Sequence, residues 1–265
     1  MLLRDMSLKG AERFAAFDGQ QLLASGTLLS ECGDAVCRSA FESSTLSTGW
    51  VMGGDFTAGG IALCASTRKL LLDHSNNHAS YPMLVLEDDA QLASGINATT
   101  VRALLEYLGR PDGGSHPTNW DILLLGTHPE SIILPEEVGA VPRALGGPLL
   151  RVGDPFFGLF AYIVRDGAAA KRIVDRVFPC DVQLDSAISD AASEGALNVL
   201  HVASPLFTSP KSMPGETDIQ RMDEDSFVSM QKVKLVEQGQ IDAVAANHPG
   251  VVKQIRDAYR RSFGS

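Results

Sequence analysis

Short unbroken apolar runs, separated by longer amphipathic segments, constrain this chain's fold more than any other feature. Pro82-Met83-Leu84-Val85-Leu86 is one such run, and Asp121-Ile122-Leu123-Leu124-Leu125-Gly126, 159–164 and 197–202 share its length and character. Runs of this kind read as strands buried on both faces. Four helical patterns precede or separate them. The first passes through Ile61, Leu63, Cys64, Leu70 and Leu71, with Thr57 as its N-cap, and ends in the polar stretch 73–80. The second runs through Val101, Leu104, Leu105 and Leu108 with Thr99 or Thr100 as cap. The third covers 167–178 behind Asp166, and the fourth about 182–192. Strands alternating with helices predict an α/β domain with a mainly parallel central sheet flanked by helices. Residues 127–148, rich in proline and glycine, read as an irregular surface excursion, and 204–225 as a second loop before a helical C-terminus.

At 265 residues the chain is long enough for one large core or two small ones. Its net charge of -10 disfavours nucleic acid as a partner, because phosphate binding needs clustered Lys and Arg. No apolar run approaches the ~18 residues that span a bilayer. The opening MLLRDMSLKG has no stretch of signal-peptide length. As written the chain suits the cytoplasm, and a secretory lumen would require prior removal of a leader. Cys32, Cys37, Cys64 and Cys180 show neither CxxC nor zinc spacing and read as small buried thiols. His74 and His78, four apart, read as solvated histidines at a helix end rather than as metal ligands.

The chemistry centres on Glu87-Asp88-Asp89, directly after the first apolar run. In open α/β sheets, ligands bind beyond the carboxyl ends of strands. Three adjacent carboxylates repel one another, and a hard dication such as Mg²⁺ or Mn²⁺ relieves that repulsion while binding phosphate oxygens. The alternative is a solvated acidic turn, and a phosphohydrolase strand can end the same way. The GxSxG, GxxxxGK and GxGxxG signatures are absent, which weakens serine-hydrolase, P-loop and dinucleotide-oxidoreductase readings.

Several segments, in order, resemble glycosyltransferase family 25, which includes lipooligosaccharide and procollagen galactosyltransferases. Glu12-Arg13-Phe14 with Ala16-Phe17-Asp18-Gly19 is similar to the family's early ERF stretch, and Gly59 to Lys69 to its first conserved helix. Leu84 to Ala90 is similar to its LxLEDDA strand, and Trp120-Asp121-Ile122 with Leu125-Gly126 to its WDxxxLG strand. Ala161-Tyr162-Ile163-Val164 with Gly167-Ala168, then Pro179-Cys180-Asp181, Pro205-Leu206 and Asp218-Ile219, complete the set. The resemblance covers about residues 12 to 220. It departs where Thr67 replaces a His, Ala62 a Gly, Leu63 a Cys and Ser209 a Gln. Nothing before Glu12 resembles the family's first strand.

The resemblance implies a GT-A-like single domain over 1–220, with a helical extension at 221–265. It implies transfer of a hexose (galactose or glucose) from a UDP-sugar to a hydroxyl acceptor on a glycan or glycoprotein, with inversion. Asp88 and Asp89 would be the metal ligands for Mn²⁺ (or Mg²⁺). Glu87, Asp88, Arg68 and Lys211 would face the donor diphosphate. Asp181 matches an acidic position near the sugar or acceptor, and Asp185 is its rival as catalytic base. Both are also readable as helix-start residues facing the macrodipole. The alternative function is a catalytically inactive relative that binds carbohydrate or a partner.

Overall fold

In the computed structural model, residues 12, 14–17, 58–77, 80–109, 119–128, 131, 133–153, 156–178 and 183–209 are described. The chain divides into two compact units. Described residues within 1–15, 70–176 and 191–211 belong to the first, and those within 16–69 and 177–190 to the second. The C-terminal extension expected at 221–265 lies outside the described residues, as does Thr57.

The first unit is built on a six-stranded sheet in the order β1-β6-β3-β7-β5-β4. Its strands are β1 (Met83–Leu86), β3 (Ile122–Leu124), β4 (Ile133–Ala140), β5 (Pro148–Val152), β6 (Ala161–Val164) and β7 (Val199–Val202). Two further strands, β2 (Gln91–Leu92) and β8 (Phe207–Thr208), pair antiparallel as a separate ribbon. The described helices are α1 (Ala58–Asn76), α2 (Ala98–Leu108), α3 (Gly167–Val177) and α4 (Leu184–Ser193).

The chain is thus mixed α/β, but the mainly parallel sheet expected from the strand–helix alternation is corrected. Among the described strands only β3 and β7 pair in parallel, and the other ladders of the large sheet are antiparallel. The reason lies in 127–148, which is not the irregular excursion expected. It forms β4 and a 3₁₀ turn at Arg143–Leu145 and leads into β5, so the chain crosses the sheet twice before β6 enters antiparallel between β1 and β3. β4 escapes a sequence reading because it is an edge strand. Most of its residues are exposed, so no apolar alternation marks it, and it carries Pro135, Glu136, Glu137 and Gly139. Proline and charge are what an edge tolerates, since one side of such a strand needs no ladder hydrogen bonds.

β3 is buried throughout, and Leu123 and Leu125 join the principal core with Trp120, Leu149, Ala161, Ile163, Leu200, Val202 and Phe207. α2 contributes Val101, Leu104 and Leu108 to the same core, the i, i+3, i+7 face of an amphipathic helix. Its N-cap is Asn97, not Thr99 or Thr100. Asn97 is extended at φ -133, and its Oδ1 accepts the N–H of Thr100 at 3.1 Å. Asp166 caps α3 as expected, with Oδ1 2.7 Å from the N–H of Ala169. Burial works against the charge of Asp166, but the Ala169 N–H, Arg165 and Arg172 outweigh it and hold the carboxyl below its usual range.

Two side-chain expectations meet different outcomes. Cys64 is buried, as expected, while Cys32, Cys37 and Cys180 lie outside the described residues. His74 is not solvated: it is buried, edge-on to Tyr81 with ring centroids 6.5 Å apart. Burial lowers its pKa and the nearby Asp166 partly opposes that. His78 lies outside the described residues.

Candidate functional site at the carboxyl ends of three strands

β6 runs antiparallel to both β1 and β3, and β7 runs parallel to β3, so β1, β3 and β7 all point the same way. Their carboxyl ends share one edge of the sheet although only two of them pair directly. That edge is closed by backbone hydrogen bonds. The N–H of Glu87 donates to the Phe160 carbonyl at 2.9 Å, Leu125 to Ala161 at 3.0 Å, and His128 to Phe157 at 2.9 Å. Ser131 Oγ accepts the Phe157 N–H at 2.9 Å, tying the loop after β3 to the loop before β6.

The acidic trio follows β1 on this edge. The N–H of Ala90 donates to the Glu87 carbonyl at 3.2 Å, which closes a turn with Asp88 and Asp89 at its two central positions. Asp88 is exposed, whereas Glu87 and Asp89 are half-buried. The Ser209 hydroxyl donates to Oδ2 of Asp89 at 2.7 Å. Oδ1 of Asp89 is buried and has no hydrogen-bond partner. No Lys or Arg among the described residues forms an ion pair with Asp88 or Asp89.

Ser209 reaches the turn because the β2–β8 ribbon is fixed against the end of β3. Leu92 pairs with Phe207 and Gln91 with Thr208. The Leu125 carbonyl accepts the N–H groups of both Leu206, at 2.8 Å, and Phe207, at 3.2 Å. Leu206 and Phe207 are fully buried, each worth ~1.5–3 kcal/mol of apolar transfer. Gly126 makes this approach possible, since a Cβ there would collide with the Phe207 carbonyl oxygen and lie 3.0 Å from the Phe160 ring.

The same edge carries two histidines. His201, on β7, is buried, with Nε2 3.5 Å from the Thr127 hydroxyl. Burial pushes its pKa down to about 4, partly opposed by the Val202 backbone. His128 packs edge-on against Phe160 with centroids 5.6 Å apart. Gly158, at φ +87, lies over its ring: a Cβ there would come within 2.8 Å of His128 Cδ2.

A metal can be tested against these residues. Among the described residues no three His, Cys, Asp or Glu side chains are gathered to hold an ion. A nucleotide-bound Mg²⁺ or Mn²⁺ does not need three, because it takes one or two carboxylates and completes its shell with phosphate oxygens and water. Asp88 and Asp89 meet that requirement. The buried, unpartnered Oδ1 of Asp89 is the atom a cation would satisfy.

Of the other expected site residues, Arg68 and Asp185 belong to the second unit. Arg68 lies on α1 in the second unit, half-buried, with Nε lacking a hydrogen-bond partner. Asp185 is in the first turn of α4 in the same unit, and its Oδ1 accepts the Ser186 N–H at 2.9 Å. Asp181 and Lys211 lie outside the described residues. Ser209 was missed as a site residue; its only signal was that it stands where the resemblance has a polar Gln. Thr127 and His201 carried no signal, because a single histidine in an apolar run does not announce its neighbour.

No helix among the described residues is long and apolar enough to cross a membrane. Compared with models of protein families and with curated proteins, the sequence matches none.

Proposed function

We propose that this protein is a metal-dependent glycosyltransferase of the family 25 type on a GT-A-like framework. It would transfer galactose or glucose from a UDP-sugar to a hydroxyl of a glycan or glycoprotein. One observation carries this reading: in the turn at the carboxyl end of β1, Asp88 and Asp89 form no ion pair with a Lys or Arg among the described residues, and Oδ1 of Asp89 is buried without a hydrogen-bond partner.

When bound, Mn²⁺ or Mg²⁺ would neutralise the charge that develops on the diphosphate leaving group. Asp88 and Asp89 would hold it, and Glu87 would complete the acidic rim. Arg68 and Lys211 are the cations assigned to the diphosphate. A carboxylate, Asp181 or its rival Asp185, would take the proton of the acceptor hydroxyl as that oxygen bonds to the anomeric carbon. The bond to the diphosphate oxygen breaks in the same displacement, the configuration inverts, and UDP leaves.

The test is release of UDP across a panel of UDP-sugars, with and without Mn²⁺, for the wild type, Asp88→Ala and Asp89→Ala. Mn²⁺-dependent release that both substitutions abolish is the expected result. Full activity in both variants removes the metal assignment. Nucleotide binding without turnover points to a non-catalytic binding module, and phosphate release from simple esters points to a phosphohydrolase.

A further inference from the structure

We propose that Ser209 is a positioning residue that holds Asp89 so that one carboxylate oxygen stays available to a divalent cation; this rests on the metal-dependent reading above. An ionised carboxylate has no proton to give, so the 2.7 Å contact is a hydrogen bond from the serine hydroxyl to Oδ2. That bond occupies one oxygen and leaves Oδ1 buried and unsatisfied. A buried anionic oxygen without a partner is costly, and the adjacent Asp88 adds to the negative field. A hydroxyl that bonded both oxygens would remove the cost; this one bonds only Oδ2, which fixes the rotamer and directs the other oxygen.

Both ends of the contact are held by backbone rather than by flexible side chains. Asp89 sits at a central position of the turn closed by Ala90 and Glu87, two residues before β2. Ser209 directly follows β8, which is paired to β2 and anchored through Leu206 and Phe207 to the Leu125 carbonyl. The serine side chain is short, with a single rotor. Groups that orient a metal-binding carboxylate in this way typically change metal affinity 10–100-fold when removed.

The experiment measures Mn²⁺ binding to the full chain by calorimetry in the presence of UDP. The variants are Ser209→Ala, Ser209→Thr, Ser209→Val and Asp89→Asn, with the thermal midpoint of each metal-free protein as a control on folding. Ser209→Ala is expected to weaken Mn²⁺ binding at least about tenfold, and Ser209→Thr to keep it within about threefold of wild type. Threonine and valine have the same shape and differ by the hydroxyl, so their contrast decides the matter even if alanine lowers stability. In turnover, the effect should fall on the Mn²⁺ concentration required, with little change in kcat at saturating Mn²⁺. Equal binding by the threonine and valine variants, while Asp89→Asn loses it, overturns the role of Ser209 and leaves the metal reading standing. Absence of Mn²⁺ binding by the wild type overturns both.

Discussion

The guanidinium of Arg172 meets Oδ1 of Asp121 at 2.6 Å from Nη2 and 2.8 Å from Nε, while Oδ2 accepts the Asn198 N–H at 2.9 Å. One buried carboxylate thereby joins α3 to the starts of β3 and β7. This lies at the amino end of β3, across the sheet from the acidic turn. The Trp120-Asp121 pair, which helped carry the family resemblance, therefore serves architecture at this position. Trp120 itself is 1% exposed and part of the core.

Asp121→Ala leaves Arg172 and a backbone N–H without their acceptor. The expected loss is about 2–3 kcal/mol, tempered because Arg172 is partly exposed. Asp121→Asn keeps one acceptor oxygen and should lose roughly half of that. Urea unfolding measures both. Folded protein of either variant should bind UDP and Mn²⁺ as the wild type does, and equal loss of binding and stability would place Asp121 in the site after all.

Gly126→Ala tests the close approach of the ribbon to β3. The added methyl meets a backbone carbonyl rather than a yielding side chain, so either β8 moves or β3 does. A destabilisation of about 1–3 kcal/mol is expected, the range of overpacked core substitutions. Because β8 positions Ser209, Mn²⁺ affinity should fall as well. A variant of unchanged thermal midpoint and affinity would show that the backbone relaxes without cost.

What the sequence made legible follows from burial. Ile122 to Leu124 and Ala161 to Val164 were readable because the sheet interior demands continuous apolar side chains; Met83 to Leu86, the half-buried strand at the opposite end of the sheet from β4, was readable because it is apolar throughout. Their mutual direction was not readable, because a run of leucine and valine looks alike in parallel and antiparallel ladders. β4 was hidden by its edge position. At the site, the Glu87–Asp89 cluster was visible as charge ending an apolar strand. Its contact with Ser209 spans 120 positions, and only the β2–β8 ribbon creates it.

The cap of α2 offers a local test. Asn97→Ala removes the acceptor for the Thr100 N–H and should cost ~1 kcal/mol, transmitted to the core through Val101, Leu104 and Leu108. Thr99→Ala, at one of the two positions expected to cap, should change stability by less than about 0.5 kcal/mol. Thermal unfolding of the pair distinguishes the two assignments; the reverse ranking would return the cap to threonine.

His201 predicts how stability responds to acid. Its folded pKa is about 4, against 6.5 for an unburied imidazole, so the native state binds its proton more weakly than the unfolded chain does. Above pH 6.5 both states are neutral and His201 contributes no pH dependence. Between pH 6.5 and about 4 the unfolded chain takes up the proton first, and the native state loses stability relative to it. The loss levels off once the folded ring also protonates, at a total of about 3 kcal/mol. Asp166, held below its usual range, loses its contribution only at lower pH, whereas His74, also lowered, adds to the slope below pH 6.5. His201→Leu keeps an apolar side chain in the buried position and removes the titration. Its thermal midpoint should decline less steeply than the wild type's between pH 6.5 and 4, and parallel curves would show that the buried imidazole is not the group responsible.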